Sequence, residues 1–200
     1  MSNLNASTEQ SNTPVNCMAF KARTAAPTLF IEWYARGNAK IPAGTFVLRE
    51  GGEKVETDAF DDGVIMDFRH IHLGMQRSEG IAGVKPEWRW ADDPRDLSDK
   101  PDGDGWKSGF RIPCVLPDGR VAIWEQAGAG AFNGILDFQG RVWEAARENL
   151  GKIPKVRMTG KADRRFKKGA TSSPVLETVD WVDPPEELGG DSLLPKYSPF

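Results

Sequence analysis

Cysteine is almost absent. The 200 residues hold two, Cys17 and Cys114, far apart and without Cys-x-x-Cys spacing. That excludes a disulfide framework and a zinc finger, and makes a reducing cytoplasm the expected compartment. Histidine is equally scarce, with only His70 and His72. No run approaches the roughly 18 apolar residues of a membrane-spanning helix. The first residues are polar, without the basic segment and apolar stretch of a secretory leader. Overall basic charge is lacking too: the net charge is −3, so the chain as a whole does not attract polyanions. Catalytic signatures are missing. There is no Gly-x-Ser-x-Gly, no Gly-x-x-x-x-Gly-Lys-Ser/Thr, and no Gly-x-Gly-x-x-Gly after a strand. The acids of Asp92–Asp104 lack calcium-loop spacing. An enzyme is therefore the less favoured class, and no cofactor is implied.

What is present is mainly β-patterned. Gly105–Gln126 reads as a hairpin with a Pro117-Asp118-Gly119 corner, since Asp-Gly between β-prone runs is a strong hairpin signal. With a two-residue loop, Leu116 faces Val121, Cys114 faces Ile123 and Ile112 faces Glu125. Arg111, Pro113, Val115, Ala122, Trp124 and Gln126 then share the other, outer face. Pro27–Arg36 and Gly63–His72 read as strands, and Thr45–Thr57 as a second hairpin turning at Gly51-Gly52. Leu73–Asp104 reads as a long polar loop carrying Trp88 and Trp90. Ala131–Leu150 changes to helical spacing, with Ile135, Phe138, Val142, Trp143, Ala146 and Leu150 in the apolar stripe and Gly151 as the stop. Lys155–Thr159 and Pro174–Val182 are strands on either side of a basic loop, Gly160–Ser173. Residues 1–26 read as a flexible arm, 27–182 as one domain, and 183–200 as an acidic flexible tail.

Strand, long loop, strand, tight turn, strand, helix, strand, basic loop, strand is the order of an oligonucleotide/oligosaccharide-binding (OB) barrel. In that five-stranded fold the hairpin of strands 2 and 3 is the binding face, flanked by the 1–2 and 4–5 loops. The expectation is thus a mainly β, OB-type barrel with one helix between strands 3 and 4 and extra N-terminal strands.

Two features carry the functional expectation. Between Lys152 and Lys168 stand Lys152, Lys155, Arg157, Lys161, Arg164, Arg165, Lys167 and Lys168 against one acid, Asp163, in an otherwise acidic chain. Such a concentration is the footprint of phosphate contact, and Phe166 inside it is suited to stack on a base. The second is aromatic. Trp124 on the expected outer face is the first candidate platform, joined by Trp88, Trp90 and Trp106 in or beside the long loop. Trp33, Trp143 and Trp181 lie in periodic elements and read as packed. His70 and His72, alternating on one strand face, would suit two ligands of a metal-dependent enzyme, which is one alternative reading. A phage structural or adaptor protein is another.

The chain ends Ser198-Pro199-Phe200 after a segment holding Asp183, Glu186, Glu187 and Asp191. This terminus resembles the acidic, apolar-tipped tails of bacterial and phage single-stranded-DNA-binding proteins, although Lys196 separates the acids from the tip. Pro174–Val182 followed by Asp-Pro-Pro is similar to the last strand of phage-type members. The resemblance implies sequence-tolerant binding of single-stranded DNA in replication or recombination. It also implies a replication or recombination protein that Phe200 would meet, with self-association compatible. Arg111, Trp124, Arg157, Lys161, Arg164, Arg165, Lys167 and Lys168 would then hold backbone and bases.

Overall fold

Alternation of apolar and polar residues sets the strand faces. The structure, a computed structural model, describes residues 29–80, 85–91, 101–166 and 169–188, and half of these lie in strands. In chain order the elements are β1 (Leu29–Tyr34), β2 (Thr45–Glu50), β3 (Glu53–Glu56), the short helix α1 (Ala59–Asp62), β4 (Val64–Met66), a 3-10 turn (Phe68–His70), β5 (His72–Arg77), β6 (Glu87–Trp90), β7 (Lys107–Val115), β8 (Val121–Ala127), the helix α2 (Ala129–Ala146), β9 (Ile153–Phe166), β10 (Gly169–Val182) and a final 3-10 turn (Glu186–Leu188). The protein is mainly β: one curled, half-barrel sheet with α2 packed against β10. No helix among the described residues is long and apolar enough to cross a membrane. The flexible arm expected over 1–26, and Lys167, Lys168 and Phe200, lie outside the described residues.

The sheet runs β10-β9-β4-β7-β8-β1-β2-β3, with β5 beside β7 and β6 beside β5. β4 and β5 lie end to end along the same edge of β7, on either side of the 3-10 turn. That turn splits the strand expected over Gly63–His72. The far edge of β8 pairs in parallel with β1, and β10 pairs with β9. No ladder among the described residues therefore closes the sheet on itself. β10 and β1 meet instead through side chains. Trp33 Nε1 donates to the Ser172 carbonyl (3.1 Å), and Ser172 Oγ donates to the Ala35 carbonyl (2.8 Å).

The central hairpin forms, with a register one residue away from the expectation. Gly119 N–H bonds the Leu116 carbonyl and Leu116 N–H bonds the Arg120 carbonyl, each at 2.9 Å. This is a three-residue loop, Pro117-Asp118-Gly119, with Gly119 at φ 83°. Pro117 supplies the fixed φ for the first turn position, and glycine tolerates the left-handed last one. Cys114 therefore faces Ala122, Ile112 faces Trp124 and Arg111 faces Glu125. A one-residue slip turns every β8 side chain to the other face. Trp124 is thus not an outer-face platform. It is 0% exposed, edge-on to Phe46 and Phe110 at 5.0 Å and to Phe60 at 5.7 Å. Cys114 is buried beside it, and burial pushes its thiol up to about 12.

Gln126, two residues along the same β8 face, continues the β1 ladder with its side chain. Its Oε1 accepts from Trp33 N–H (2.8 Å) and from Trp124 Nε1 (3.1 Å), and its Nε2 donates to the Trp33 carbonyl (2.7 Å). The Gly51-Gly52 hairpin stands as expected, with Glu50 facing Glu53. α2 begins two residues earlier than expected and ends at Ala146, leaving Leu150 exposed beyond it. Phe132, Ile135, Phe138 and Val142 fill the core beneath α2. Gly130 and Gly134 give up helix propensity, about 1 kcal/mol each. In exchange α2 approaches β10 closely: a Cβ at Gly134 would lie 2.8 Å from the Pro174 ring, and one at Gly130 would collide with the Ser172 carbonyl.

Two loops of the sequence reading are strands instead. The long polar stretch contains β5 and β6. The basic loop Gly160–Ser173 is the outer half of the β9–β10 ribbon, whose paired backbone satisfies its own hydrogen bonds up to the Phe166–Gly169 pair. The start of the acidic tail is also ordered onto the sheet: Leu188 is buried against Val115 and Ile153.

Candidate nucleic-acid interface

Register orders the outer face of β5, β6 and β7. His72 faces Arg111, then Gly74 faces both Trp90 and Gly109, then Gln76 faces both Trp88 and Lys107. The two glycines are the seat of the tryptophans. A Cβ at Gly74 would lie 2.8 Å from the Trp90 ring, and one at Gly109 would lie 2.7 Å from the Trp88 ring. Freed of that obstruction, Trp88 and Trp90 lie flat on each other, centroids 4.4 Å apart and planes within 9°. Arg111 places its guanidinium 5.3 Å from the Trp90 centroid, and its Nη2 pairs with Glu125 at 2.7 Å. His72 meets Trp90 edge-on. Partial burial, then the charges of Arg111 and His70, hold the His72 pKa below its ordinary value. Both tryptophans are half-buried. The result is a row: Arg111, Trp90, Trp88, Lys107.

Trp106 belongs to the other side of β6. It is 8% exposed, with the guanidinium groups of Arg77 and Arg89 at 5.0 and 5.5 Å from its ring and its Nε1 donating to the Asp102 carbonyl. Arg77 and Arg89 both pair with Glu87. Trp106 is therefore a covered residue rather than an open platform, because the hydrophilic stretch supplies two arginines to shield it.

The basic residues of the ribbon divide. Arg157 is exposed and 3.5 Å from Glu177. Lys161 packs over Gly44 and donates to the Ala43 carbonyl (3.3 Å). Arg164 is committed to Asp137 of α2. Arg165 is exposed and forms no ion pair among the described residues, and Phe166 beside it is 46% exposed. Of the expected phosphate contacts here, Arg165 is open, Arg157 and Lys161 are half-engaged, and Arg164 ties the ribbon to the helix.

The histidines do not share a strand face. His70 sits on the 3-10 turn, its Nδ1 2.7 Å from Asp67 Oδ2, while His72 is on the outer face of β5. Asp67 is 0% exposed. Burial alone would raise its pKa, but hydrogen bonds from His70 and Arg69 overcome that and hold it at about 2. Among the described residues no three His, Cys, Asp or Glu side chains gather as a metal site.

Sequence reasoning missed Gly74, Gly109, Lys107 and Arg36. A glycine inside a strand marks a close approach, and Gly109 lay in plain view. Beyond Lys107 a groove of about 690 Å3 runs between the start of α2 and the ribbon tip, with Arg36 and Phe166 in its wall. Comparison of the chain with protein-family models, curated proteins and solved structures gave no match.

Proposed function

We propose that this chain binds single-stranded nucleic acid, DNA in the first instance, without strict sequence preference. The observation that carries the reading is the Arg111–Trp90–Trp88–Lys107 row on the outer sheet face. Stacked, half-buried tryptophans between two cations match what a single strand presents: flat bases at intervals along a charged backbone. Each stacked base contributes roughly 1–3 kcal/mol, whatever its identity. Arg165 and the partly engaged Arg157 and Lys161 extend positive charge along the ribbon. The platform is the tryptophan pair of β6, not Trp124.

The fold reading that accompanies this is a modified OB barrel. The β4–β5 line stands as strand 1, β7 and β8 as strands 2 and 3, α2 as the intervening helix, and β9 and β10 as strands 4 and 5. An OB barrel pairs its third strand with its fifth. In this reading β1 has taken that edge of β8.

Oligo-dT titration with tryptophan fluorescence tests the function. Quenching is expected at low salt. It weakens as salt rises, each neutralised phosphate adding about 0.7 to the log–log slope. Trp90→Ala should cut affinity by about fivefold or more while leaving the fold intact. Absence of quenching at low salt refutes the proposal.

A further inference from the structure

We infer that the groove beyond Lys107 is a nucleotide pocket, taking one phosphate and one base. Its volume, about 690 Å3, falls within the roughly 300–1,000 Å3 of small-molecule sites. Its charge is one-sided. Arg36 and Lys107 line it, and among the described residues no Asp or Glu does, in a chain whose net charge is −3. Neither cation forms an ion pair among the described residues, so an incoming anion displaces nothing.

The groove is also aromatic where a base requires it. Phe166 lines it while remaining 46% exposed, and Phe132 lines it from the first turn of α2. Phe166 and Gly169 are partners across the ribbon tip. A Cβ at Gly169 would lie 3.9 Å from Arg36 Nη2, so the guanidinium stands beside the aromatic ring's own strand pair. A cation next to an accessible aromatic ring suits a nucleoside phosphate. A purely acidic peptide would use the cations and leave Phe166 idle.

Position links the groove to the tryptophan row. Lys107 shares a register position with Trp88 through Gln76, and also lines the groove. A strand leaving Trp88 meets Lys107 next and then the pocket. For a polymer the inference rests on the strand-binding proposal; for a free nucleotide it does not, because neither tryptophan of the row lines the groove.

Isothermal titration of the full chain with dTMP, thymidine and inorganic phosphate separates the cases. We expect dTMP to bind at least about tenfold more tightly than either fragment. Arg36→Ala should weaken dTMP and phosphate together. Phe166→Ala should weaken dTMP by about fivefold or more and leave phosphate unchanged, with Phe166→Tyr restoring the loss. Trp90→Ala should leave dTMP binding intact. Absent dTMP binding, phosphate binding as tight as dTMP, indifference to Phe166→Ala, or equal competition by an oligoglutamate peptide each overturns the pocket. If dTMP binds and oligo-dT does not, the strand-binding proposal fails and the pocket stands. If oligo-dT binds and dTMP does not, the pocket alone fails.

Discussion

Trp124→Ala should damage stability, not binding. Trp124 lies at the centre of an aromatic cluster, edge-on to Phe46, Phe60 and Phe110 with ring planes at 71–82°. Truncating a buried Trp costs about 3–5 kcal/mol. Three edge-to-face contacts, each about 0.5–1.5 kcal/mol beyond area burial, are lost with it, so a cost of about 4 kcal/mol is expected. The indole leaves no orphan behind, because Gln126 Oε1 still accepts from Trp33 N–H. Against a total stability of roughly 5–15 kcal/mol, a loss of about 4 kcal/mol is severe but survivable. With a urea m-value of about 2 kcal/mol/M, the midpoint should fall by about 2 M. Urea unfolding followed by far-UV circular dichroism measures it. Trp124→Phe, which keeps the ring and loses the bond to Gln126, should fall by less than half as much. A drop below about 0.5 M for Trp124→Ala, with weakened oligo-dT binding, would refute the three-residue turn and return Trp124 to the outer face.

Two further outcomes follow from the geometry. Gly109→Ala should destabilise by about 1–3 kcal/mol and weaken oligo-dT binding, because its Cβ would lie 2.7 Å from both the Trp88 ring and the Gln126 carbonyl. The control is Gly140→Ala: nothing lies within 4 Å of a Cβ there, so the variant should be neutral or more stable by up to about 1 kcal/mol. Equal effects at both positions would show that Gly109 is not a seat. Asp67 gives a pH signature. Its carboxyl is held at about 2 in the native state against an ordinary value of about 4. A depressed native pKa means the contribution is whole above the unfolded value and is lost as pH falls towards the native one. Asp67 should therefore supply on the order of 2 kcal/mol that disappears between about pH 4 and pH 2. Urea midpoints across that range should fall more steeply in the wild type than in Asp67→Asn; parallel curves would dismiss the effect.

Most strands and the helix were legible because their signals are local. Gly51-Gly52 between β-prone runs specified a hairpin, and the three-and-four spacing of Ile135, Phe138 and Val142 specified α2. The central hairpin was legible in existence but not in register. Asp118-Gly119 alone suggests a two-residue turn, yet that turn would make Pro117 a closing partner without an N–H to give. Placing Pro117 inside the loop as its first residue resolves the conflict, and the difference is one residue. That residue decides whether Trp124 is core or surface. The basic segment was read as a loop because charge dominates its composition. Its β pairing depends on Gly169–Val182, the returning strand, and a ribbon can carry charge because its backbone is satisfied by its partner. The tryptophan row was half-legible. Trp88 and Trp90 were named, but their seat comes from Gly74 and Gly109 on two other strands, which only the register brings together.

The N-terminal strand links fold to site. β8 ends at the groove, and β1 occupies its free edge as far as Ile31, with Gln126 prolonging the contact to Trp33. An edge filled by β1 cannot also receive β10. The ribbon therefore passes the end of β1 at a distance bridged by side chains, at Ser172 and at Lys161, instead of entering a ladder. A ladder there would bring the two backbones to about 5 Å and leave no room between them. The groove that Arg36, Lys107 and Phe166 line lies beside this crossing, at the start of α2. Arg36, two residues past the end of β1, reaches the cavity because the same strand delivers it there.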